Sequence, residues 1–568
     1  MASTIREWFS NCVKSNPDGI SVIYGDRRIT WKELNDRVNR LSNALWDLGV
    51  RKGDKVTFMF HDSPEFLESN YAIQKIGAIP VPMNFRFVSK DIEYQANHSD
   101  STIFIFEDIW WNEVNHARPK LPKVKHFICS GKKILRDTLD YEELMGKCPP
   151  TEPPKVEIAD DDPQVMIYTG GTTGYPKGVI LTHDNHRRMV AGLFGNLPDL
   201  LTQVTLSPET ISNLSNLFPV PGIAEMLGGG QPPPALKQLS SMMYDLVGTS
   251  TFLRLMKKVQ IRVLWPGLPL FHEASYPQIA MHTLQGITLV LHRSIHYDPK
   301  EIMELVEKEK PIILGNGPTT WKRLVEFPEI DNYDKSSVLI MITGSAVAHA
   351  ELKKKMLTKF KGAVIVDVFG QTEMSPGTTV RVDADIDKIA DRSVGIPIVE
   401  TRIVNDKGDD VKRGAVGEII YRGPTIMKGY YKDEQKTKEV IKDGWFYSGD
   451  LGWFDEKGEV HVVERKAECI NSGGEKIYPN EVEEVILQNP KVDETCVIGV
   501  PDTEWGEFIR AVVKLNEGET ATEEEIIDWC RGKITGYKRP KSVVFVNSLP
   551  HTPVGKVLRK QIREMYVK

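Results

Sequence analysis

Cysteine is scarce and scattered in this 568-residue chain: Cys12, Cys129, Cys148, Cys469, Cys496 and Cys530 include no C-x-x-C pair. That spacing argues against a disulfide framework and against a cysteine-rich zinc site. No stretch approaches the roughly 20 apolar residues that a membrane span needs. The start, Met1-Ala2-Ser3-Thr4-Ile5-Arg6-Glu7-Trp8, lacks the charged-then-apolar pattern of a secretory signal. Basic charge is not in excess either. With 72 Lys and Arg against 78 Asp and Glu, a formal charge of -6, nothing favours an electrostatic nucleic-acid binder. Internal repeats and low-complexity tails are also missing. Together these absences lead us to expect a cytoplasmic protein with reduced thiols, no transmembrane span and no nucleic-acid partner.

What is present is a globular composition. Apolar residues at 40% and charged residues at 26% supply a full core and a solvated surface. At about 100–200 residues per domain, the length predicts two to four domains. Thr30-Trp31-Lys32-Glu33 reads as a capping box opening a helix. In that helix Leu34, Val38, Leu41, Leu45 and Leu48 recur at three- and four-residue spacing, and Gly49 ends it. Apolar strand patterns then alternate with helical ones through Val56–Phe60, Ile103–Phe106, Val165–Tyr168, Thr288–Leu291, Ile312–Leu314, Val338–Ile342 and Val364–Val368. This alternation predicts an α/β layer fold with mostly parallel strands. From about Glu400 shorter, glycine-punctuated strands predict a small β-rich subdomain. The last hundred residues read as a compact α+β unit, with a helix from Asn480 and another capped by Thr522 and Glu525. One segment breaks the rhythm. Gly195–Arg262 is rich in Ser, Asn, Gln and Thr and contains Gly228-Gly229-Gly230 and Pro232-Pro233-Pro234. It reads as a surface excursion, with a lid or pocket wall as the functional alternative.

The densest chemistry lies in Tyr168-Thr169-Gly170-Gly171-Thr172-Thr173-Gly174-Tyr175-Pro176-Lys177-Gly178. Glycines let the backbone approach a polyphosphate, threonine hydroxyls can donate to its oxygens, and Lys177 supplies charge. It is not a Walker A loop, which needs Gly-Lys-Ser/Thr opening into a helix. Pro176 precedes the lysine and β-branched residues follow, so a strand–loop–strand hairpin is predicted. Downstream, Asp367-Val368-Phe369-Gly370-Gln371-Thr372-Glu373 places an aromatic ring and a carboxylate after a strand, suited to stacking on a base and to holding Mg²⁺ with phosphate oxygens. Ser448-Gly449-Asp450 sets a carboxylate past a glycine turn, where ribose hydroxyls can donate to it. Glu464-Arg465-Lys466-Ala467-Glu468, followed by Asn471-Ser472-Gly473-Gly474, is a charged cluster and loop. Pro553-Val554-Gly555-Lys556 presents a lysine on a glycine turn near the C-terminus. Each of the last four would pass alone as solvated charge; their order and spacing carry the inference.

These five islands, in this order, resemble the AMP-forming adenylate synthetases, which include acyl-CoA synthetases, aryl-CoA ligases, firefly-type luciferases and peptide-synthetase adenylation domains. The similarity runs over residues 15–190 and 264–565. The resemblance implies a large N-terminal domain, 1–466, of two α/β subdomains and a small β-barrel, with an unusual insertion at about 195–262. A mobile α+β C-terminal domain, 467–568, would carry the catalytic lysine. It further implies that Thr169, Thr172, Thr173 and Lys177 hold the β- and γ-phosphates. Phe369 corresponds to the ring on adenine, with Gly344, Ser345, Ala346 and Asp367 lining the base. Thr372 and Glu373 fall at the α-phosphate, with Mg²⁺ on Glu373 and Thr172. Asp450 and Arg465 resemble the ribose pair, and Lys556 the lysine bridging substrate carboxylate and α-phosphate. Ser472, Gly473 and Gly474 resemble the loop lining the CoA tunnel.

Three departures stand out. Gly170-Gly171 replaces the usual Ser-Gly, Phe369 the usual tyrosine, and Ala467 the charged residue usual at the pivot of rotation. Pro269-Leu270-Phe271-His272 resembles the motif lining the acyl pocket, and Gly315-Asn316-Gly317-Pro318-Thr319 the facing wall. Phe271, His272, Gly315 and Gly317 are therefore expected around the acid, with the two glycines leaving room. The expected reaction joins a hydrophobic monocarboxylic acid to coenzyme A through an acyl-adenylate, with ATP and CoA as co-substrates and AMP as a product. A carrier-protein thiol as acceptor, a non-catalytic nucleotide sensor and a homo-oligomeric assembly stay open at this point.

Overall fold

The computed structural model describes all residues except 1–3, 133–134, 170–175, 203, 205, 218–233, 347, 390–392, 473–474, 504, 532, 553–554 and 568. Packing divides the chain into two compact units, Met1–Asp391 with Gly423–Glu439, and Arg392–Arg422 with Val440–Lys568. Among the described residues no helix is long and apolar enough to cross a membrane.

The first helix beyond the N-terminal segment forms as its sequence requires. Thr30 Oγ1 accepts from the Glu33 amide at 3.1 Å and Glu33 Oε2 accepts from the Thr30 amide at 2.8 Å, closing the box ahead of Trp31–Asp47. Leu34, Val38, Leu41 and Leu45 face the core at 0% exposure. Gly49, at φ +92°, takes the left-handed turn that stops the helix.

Two parallel sheets organise the first unit. One orders Ile79–Pro82, Lys55–Met59, Ser101–Glu107, His126–Ser130 and Leu139–Asp140, all parallel. The other runs Gly377–Asp383, Val364–Gly370, Ile340–Gly344, Ile313–Gly315, Arg262–Leu264, Thr288–Leu291, Ile20–Tyr24 and Arg27–Thr30. Its six central strands are parallel, and the strand at each end of this run is antiparallel. A third, antiparallel sheet joins Pro163–Thr169, Lys177–Thr182 and Gly429–Tyr430. The predicted hairpin is thus present, with Thr169 opposite Lys177.

In the second unit, Glu400–Val404, Gly417–Arg422, Trp445–Phe454, Ile441–Lys442 and Val460–Arg465 make one antiparallel sheet. Ile470–Ser472, Glu475–Ile477, Val492–Asp502, Gly506–Leu515 and Ser542–Phe545 make a mixed sheet, in which Ser542–Phe545 joins in parallel, covered by Pro479–Leu487 and Glu523–Trp529. Thr522 and Glu525 form the capping box expected of them.

The Gly195–Arg262 stretch is not loop where it is described. It contains the helices Leu197–Thr202, Pro208–Leu217, Pro234–Leu246 and Ser250–Met256. Phe252 meets Phe194 edge-on at 5.4 Å, and Arg188 donates to the Tyr244 hydroxyl at 3.1 Å. Polar composition concealed helices that bury part of their apolar content, Phe252, Leu253 and Met256 on Ser250–Met256 among it.

A buried ion cluster ties the sheet to its covering helix. Lys353, on Ala350–Lys359, lies 2.7 Å from Asp367 and 3.0 Å from Asp383, and Arg381 reaches Asp383 at 2.8 Å. Burial raises the Asp367 carboxyl, with Lys353 opposing. Removing the lysine strands the Asp367 carboxylate in the interior, Asp383 keeping Arg381, at a cost of about 3–5 kcal/mol. Lys353→Met should lower the stability read from urea unfolding by that amount, and an unchanged midpoint would contradict it.

Candidate active site

Four neighbouring parallel strands end on one rim of the larger sheet: Arg262–Leu264, Ile313–Gly315, Ile340–Gly344 and Val364–Gly370. Ligands of open α/β sheets bind outside such carboxyl ends. The loops leaving this rim carry Trp265 to Glu273, Asn316 to Thr320, Ser345, and Gln371 to Glu373. Several buried polar atoms along this rim have no hydrogen-bond partner among the described residues: Trp265 Nε1, Asn316 Oδ1 and Nδ2, Thr343 Oγ1, Ser345 Oγ and Glu273 Oε2. Folded proteins leave few such groups, so a cluster of them marks a place completed by a ligand.

Backbone geometry supports the rim. Gly370 cannot be replaced: a Cβ there would lie 1.8 Å from the Pro376 carbonyl oxygen. Ser345, at φ +66°, sits in the left-handed region that a serine adopts only when its surroundings hold it there. Phe369 and Ala346 are half-buried, while Thr372 is buried at the start of a short turn. Asp367 points its carboxylate at Lys353, into the ion cluster.

The hairpin and Glu373 are joined by a residue that sequence reasoning missed. The Tyr430 hydroxyl donates to Glu373 Oε1 at 2.7 Å, and the Lys177 ammonium lies 5.2 Å from the Tyr430 ring centre. Tyr430 is placed by pairing with Val179 on the hairpin's second strand. The doublet Tyr430-Tyr431 after Gly429 was the available signal. No described residue takes Glu373 Oε2, so one carboxylate oxygen remains for a cation, which fits the hard oxygen ligands Mg²⁺ prefers. Thr172 and Thr173 lie outside the described residues. Tyr94 pins the loop's end by donating to the Pro176 carbonyl at 2.8 Å.

Around the expected acyl pocket, Phe271 is buried edge-on against Phe85 at 5.7 Å, and Phe85 stacks on Trp110 at 5.6 Å. His272 Nδ1 accepts from the Ala274 amide at 3.1 Å, which places its proton on Nε2. The room expected at Gly315 is taken. The Trp265 ring comes within 2.4 Å of where a Cβ would stand, because a glycine beside a large ring leaves a notch the ring fills. Gly317 instead caps Pro318–Val325, its carbonyl accepting from Trp321 at 2.8 Å. A buried pair was also missed. Glu273 Oε1 lies 3.2 Å from His186 Nε2, and His186 Nδ1 lies 2.9 Å from Gln164 Oε1. Burial pushes the Glu273 carboxyl up.

In the second unit, Asp450 and Arg465 face each other across paired strands, Arg465 Nε to Asp450 Oδ1 at 2.7 Å. Asp450 is held further by its own amide donating to Ser448 Oγ at 3.0 Å. Lys556 sits on a turn closed by the Thr552 amide donating to its carbonyl at 2.7 Å, with Gly555 at φ +80°. Its side chain as a whole is exposed, yet crowding desolvates the ammonium and lowers its pKa, Arg465 adding to the fall and Asp450, Glu468 and Glu464 opposing it. The arrangement therefore brings Asp450, Arg465 and Lys556 into one electrostatic neighbourhood. Ser472 ends the Ile470–Ser472 strand, while Gly473 and Gly474 lie outside the described residues.

Three residues beyond Lys556, Arg559 is caged. It reaches Glu468 at 2.9 Å, Glu483 at 2.5 Å and Glu464 at 4.0 Å, and donates to the Val497 carbonyl at 2.6 Å. Burial pushes the Glu464 carboxyl up to about 7, Arg559 opposing and Glu483 adding to the rise. A carboxyl raised above its ordinary 4.5 binds its proton more tightly in the folded chain than in the unfolded one. Its contribution is complete below about 4.5 and is lost as pH rises through about 7. Urea unfolding between about pH 5 and 8 should show this fall, and Glu464→Gln should flatten it. An unchanged slope in the variant would assign the dependence to another group.

The family model described as AMP-binding enzyme matches residues 9–217 and 237–431, and that of the AMP-binding enzyme C-terminal domain matches 481–556. The stretch left unmatched within the first is 218–236, narrower than 195–262. A feruloyl-CoA synthase of an Amycolatopsis species is 30% identical over 568 residues, covering 99% of both chains. An indoleacetate–CoA ligase of Aromatoleum aromaticum is 28% identical, covering 99% of this chain and 98% of its own. A long-chain-fatty-acid–CoA ligase of Mycobacterium tuberculosis is 27% identical, covering 95% and 94%. The crystal structure of an anthranilate CoA ligase bound to anthranoyl-AMP superposes with a TM-score of 0.81 at 23% identity, covering 99% and 97%. The chain belongs to the AMP-binding enzyme family, the AMP-forming adenylate synthetases, and is an acid–thiol ligase of the acyl-CoA synthetase kind.

Proposed function

We propose that this enzyme activates a hydrophobic monocarboxylic acid. The observation that carries the reading is the aromatic wall of Phe271, Phe85 and Trp110, next to a strand rim with unpaired polar atoms. Relatives named for feruloyl, indoleacetate and long-chain fatty acids span ring and chain alike, so the family by itself leaves the acid open. In the first step a carboxylate oxygen attacks the α-phosphorus of ATP, forming the acyl–phosphate anhydride and expelling pyrophosphate. In the second the sulfur of CoA attacks the acyl carbon, the thioester forms, AMP leaves, and the thiol proton passes to solvent.

The residues divide this work. Thr169, Thr172, Thr173 and Lys177 hold the terminal phosphates, and Tyr430 couples that loop to Glu373. Phe369 stacks on the base, with Gly344, Ser345 and Ala346 along its edge. Asp367, committed to Lys353, acts by fixing the strand end. Thr372 meets the α-phosphate. Mg²⁺ would be held by Glu373 and Thr172, and when bound it neutralises charge on the polyphosphate. Asp450 accepts from the ribose hydroxyls while Arg465 orients it. Lys556 brings a cation to the pentacoordinate phosphorus. Ser472, Gly473 and Gly474 line the path of CoA, and 467–568 moves between the two steps as one body. The six cysteines are free thiols, in keeping with a cytoplasmic enzyme.

Release of AMP from ATP, measured over a panel of carboxylic acids with and without CoA, tests the reading. AMP that depends on the acid and turns over only with CoA supports it; tight ATP binding with no AMP for any acid overturns it. Lys556→Ala should slow adenylation by about 10²–10³, the loss typical of one preorganised charge partner. Thioester formation from supplied acyl-adenylate should survive in that variant. Equal loss of both half-reactions in a folded protein would remove Lys556 from the proposed role.

A further inference from the structure

Both stems of the glycine-rich loop are held by one helix, Ser89–His98. Ile92, Gln95 and Ala96 seat it in the interior, and Gln95 Nε2 donates to the carbonyl of Pro82, the last residue of the strand Ile79–Pro82, at 3.1 Å. From this fixed base two side chains one turn apart reach the loop. The Tyr94 hydroxyl donates to the Pro176 carbonyl at 2.8 Å, and His98 Nδ1 lies 2.7 Å from the Tyr168 hydroxyl. Tyr168 precedes Thr169 at the loop's entrance, and Pro176 precedes Lys177 at its exit. The Tyr94 and His98 rings also stack, their centres 5.5 Å apart, as residues four apart on a helix can.

A third anchor follows just past the helix. Asp100 Oδ2 accepts from the Tyr431 hydroxyl at 2.7 Å and pairs with Lys432 at 2.7 Å. Tyr431 donates its own amide to the Gly178 carbonyl at 2.8 Å, and it follows Tyr430, whose hydroxyl holds Glu373. Residues 94, 98 and 100 thereby fix the entrance, the exit and the strand beside them. Burial lowers the His98 pKa, Lys432 adding to the fall and Asp100 and Asp433 opposing it, so the ring serves as a neutral hydrogen-bonding group and not as a cation. Gly170, Gly171 and Gly174 lie between the stems, and glycine loses more conformational freedom on being fixed than any other residue. Stems fixed in advance leave less ordering for a bound molecule to impose.

Resting on the reading that Thr169 and Lys177 hold the terminal phosphates, we propose that Tyr94 and His98 are positioning residues for ATP, which fix the two stems of the loop and so set its grip on the β- and γ-phosphates. They act through Thr169 and Lys177 and not by contact with the nucleotide. AMP keeps only the α-phosphate, so this clamp strengthens ATP binding and is silent towards AMP. That difference separates it from packing alone, since a packing defect at the site would reach both nucleotides.

The test is calorimetric titration of the full-length enzyme with Mg-ATP and with AMP, no acid being present. Tyr94→Phe, which removes only a hydroxyl, and His98→Leu should each weaken Mg-ATP binding by about three- to tenfold, the loss of one hydrogen bond, and leave AMP within about twofold. His98→Asn, which keeps a polar atom at the place of Nδ1, should bring Mg-ATP back to within about twofold of the wild type. Thermal melts verify folding, and should His98→Leu not fold, Tyr94→Phe still decides. Equal losses for ATP and AMP, or an unchanged Mg-ATP affinity in the clamp variants, would overturn the inference. Lys177→Ala is the reference, expected to weaken Mg-ATP and spare AMP. A loss there without one in the clamp variants overturns the inference and leaves the loop reading intact. Mg-ATP binding indifferent to Lys177→Ala overturns the loop reading, and the inference with it.

Discussion

Parallel strands deliver all their carboxyl ends to one edge of a sheet, and that edge cannot satisfy itself. Each strand of the larger sheet reaches the rim and must turn, so its last residues lose the neighbours that would pair them. Part of the rim answers this with a cap: Gly317 closes Pro318–Val325, and Thr320 donates back to the Gly317 carbonyl at 2.9 Å. Beside it the answers stop. Among the described residues Asn316, Thr343 and Ser345 keep buried polar atoms with no partner, side by side on neighbouring strands. The cost is tolerable only if a bound molecule supplies what the fold withholds. Ser345 in the left-handed region belongs to the same bargain, since backbone strain persists where the surroundings and a ligand over-determine it.

Charge is distributed under the same constraint. Where the interior holds ions, it holds them in closed sets, as Lys353 does with Asp367 and Asp383, and Arg559 with Glu464, Glu468 and Glu483. At Glu373, among the described residues, Tyr430 answers one carboxylate oxygen and nothing answers the other. Asp450 and Arg465 close on each other at 2.7 Å. Closed sets of this kind specify structure, because an unpaired buried charge is costly.

How much of this was legible in the sequence depended on range. Capping boxes at Thr30 and Thr522 and the hairpin around the glycine-rich loop are encoded by neighbours in the chain, and they appear as expected. Composition misled at 195–262, where Ser and Asn on exposed helix faces hid Phe252 and Leu253 on buried ones. The interactions that escaped notice are those between distant segments. Tyr430 and Glu373 are 57 positions apart, and His186 and Glu273 are 87 apart. No periodicity links such residues; only the crossover connections bring them together.

Gly315 shows why composition at a pocket is an unreliable guide to its volume. A glycine removes atoms from its own position, but a close-packed interior does not leave the space empty. Here the vacancy is transferred to Trp265, whose ring could not lie on that strand if any other residue stood there. Glycine and tryptophan are then a single device, a small residue licensing a large one. The same substitution that looks like enlargement on one strand is a contraction of the space above it. What the ring contributes in exchange is a polar edge, because of the large apolar side chains that could plug this notch only tryptophan carries an N–H donor.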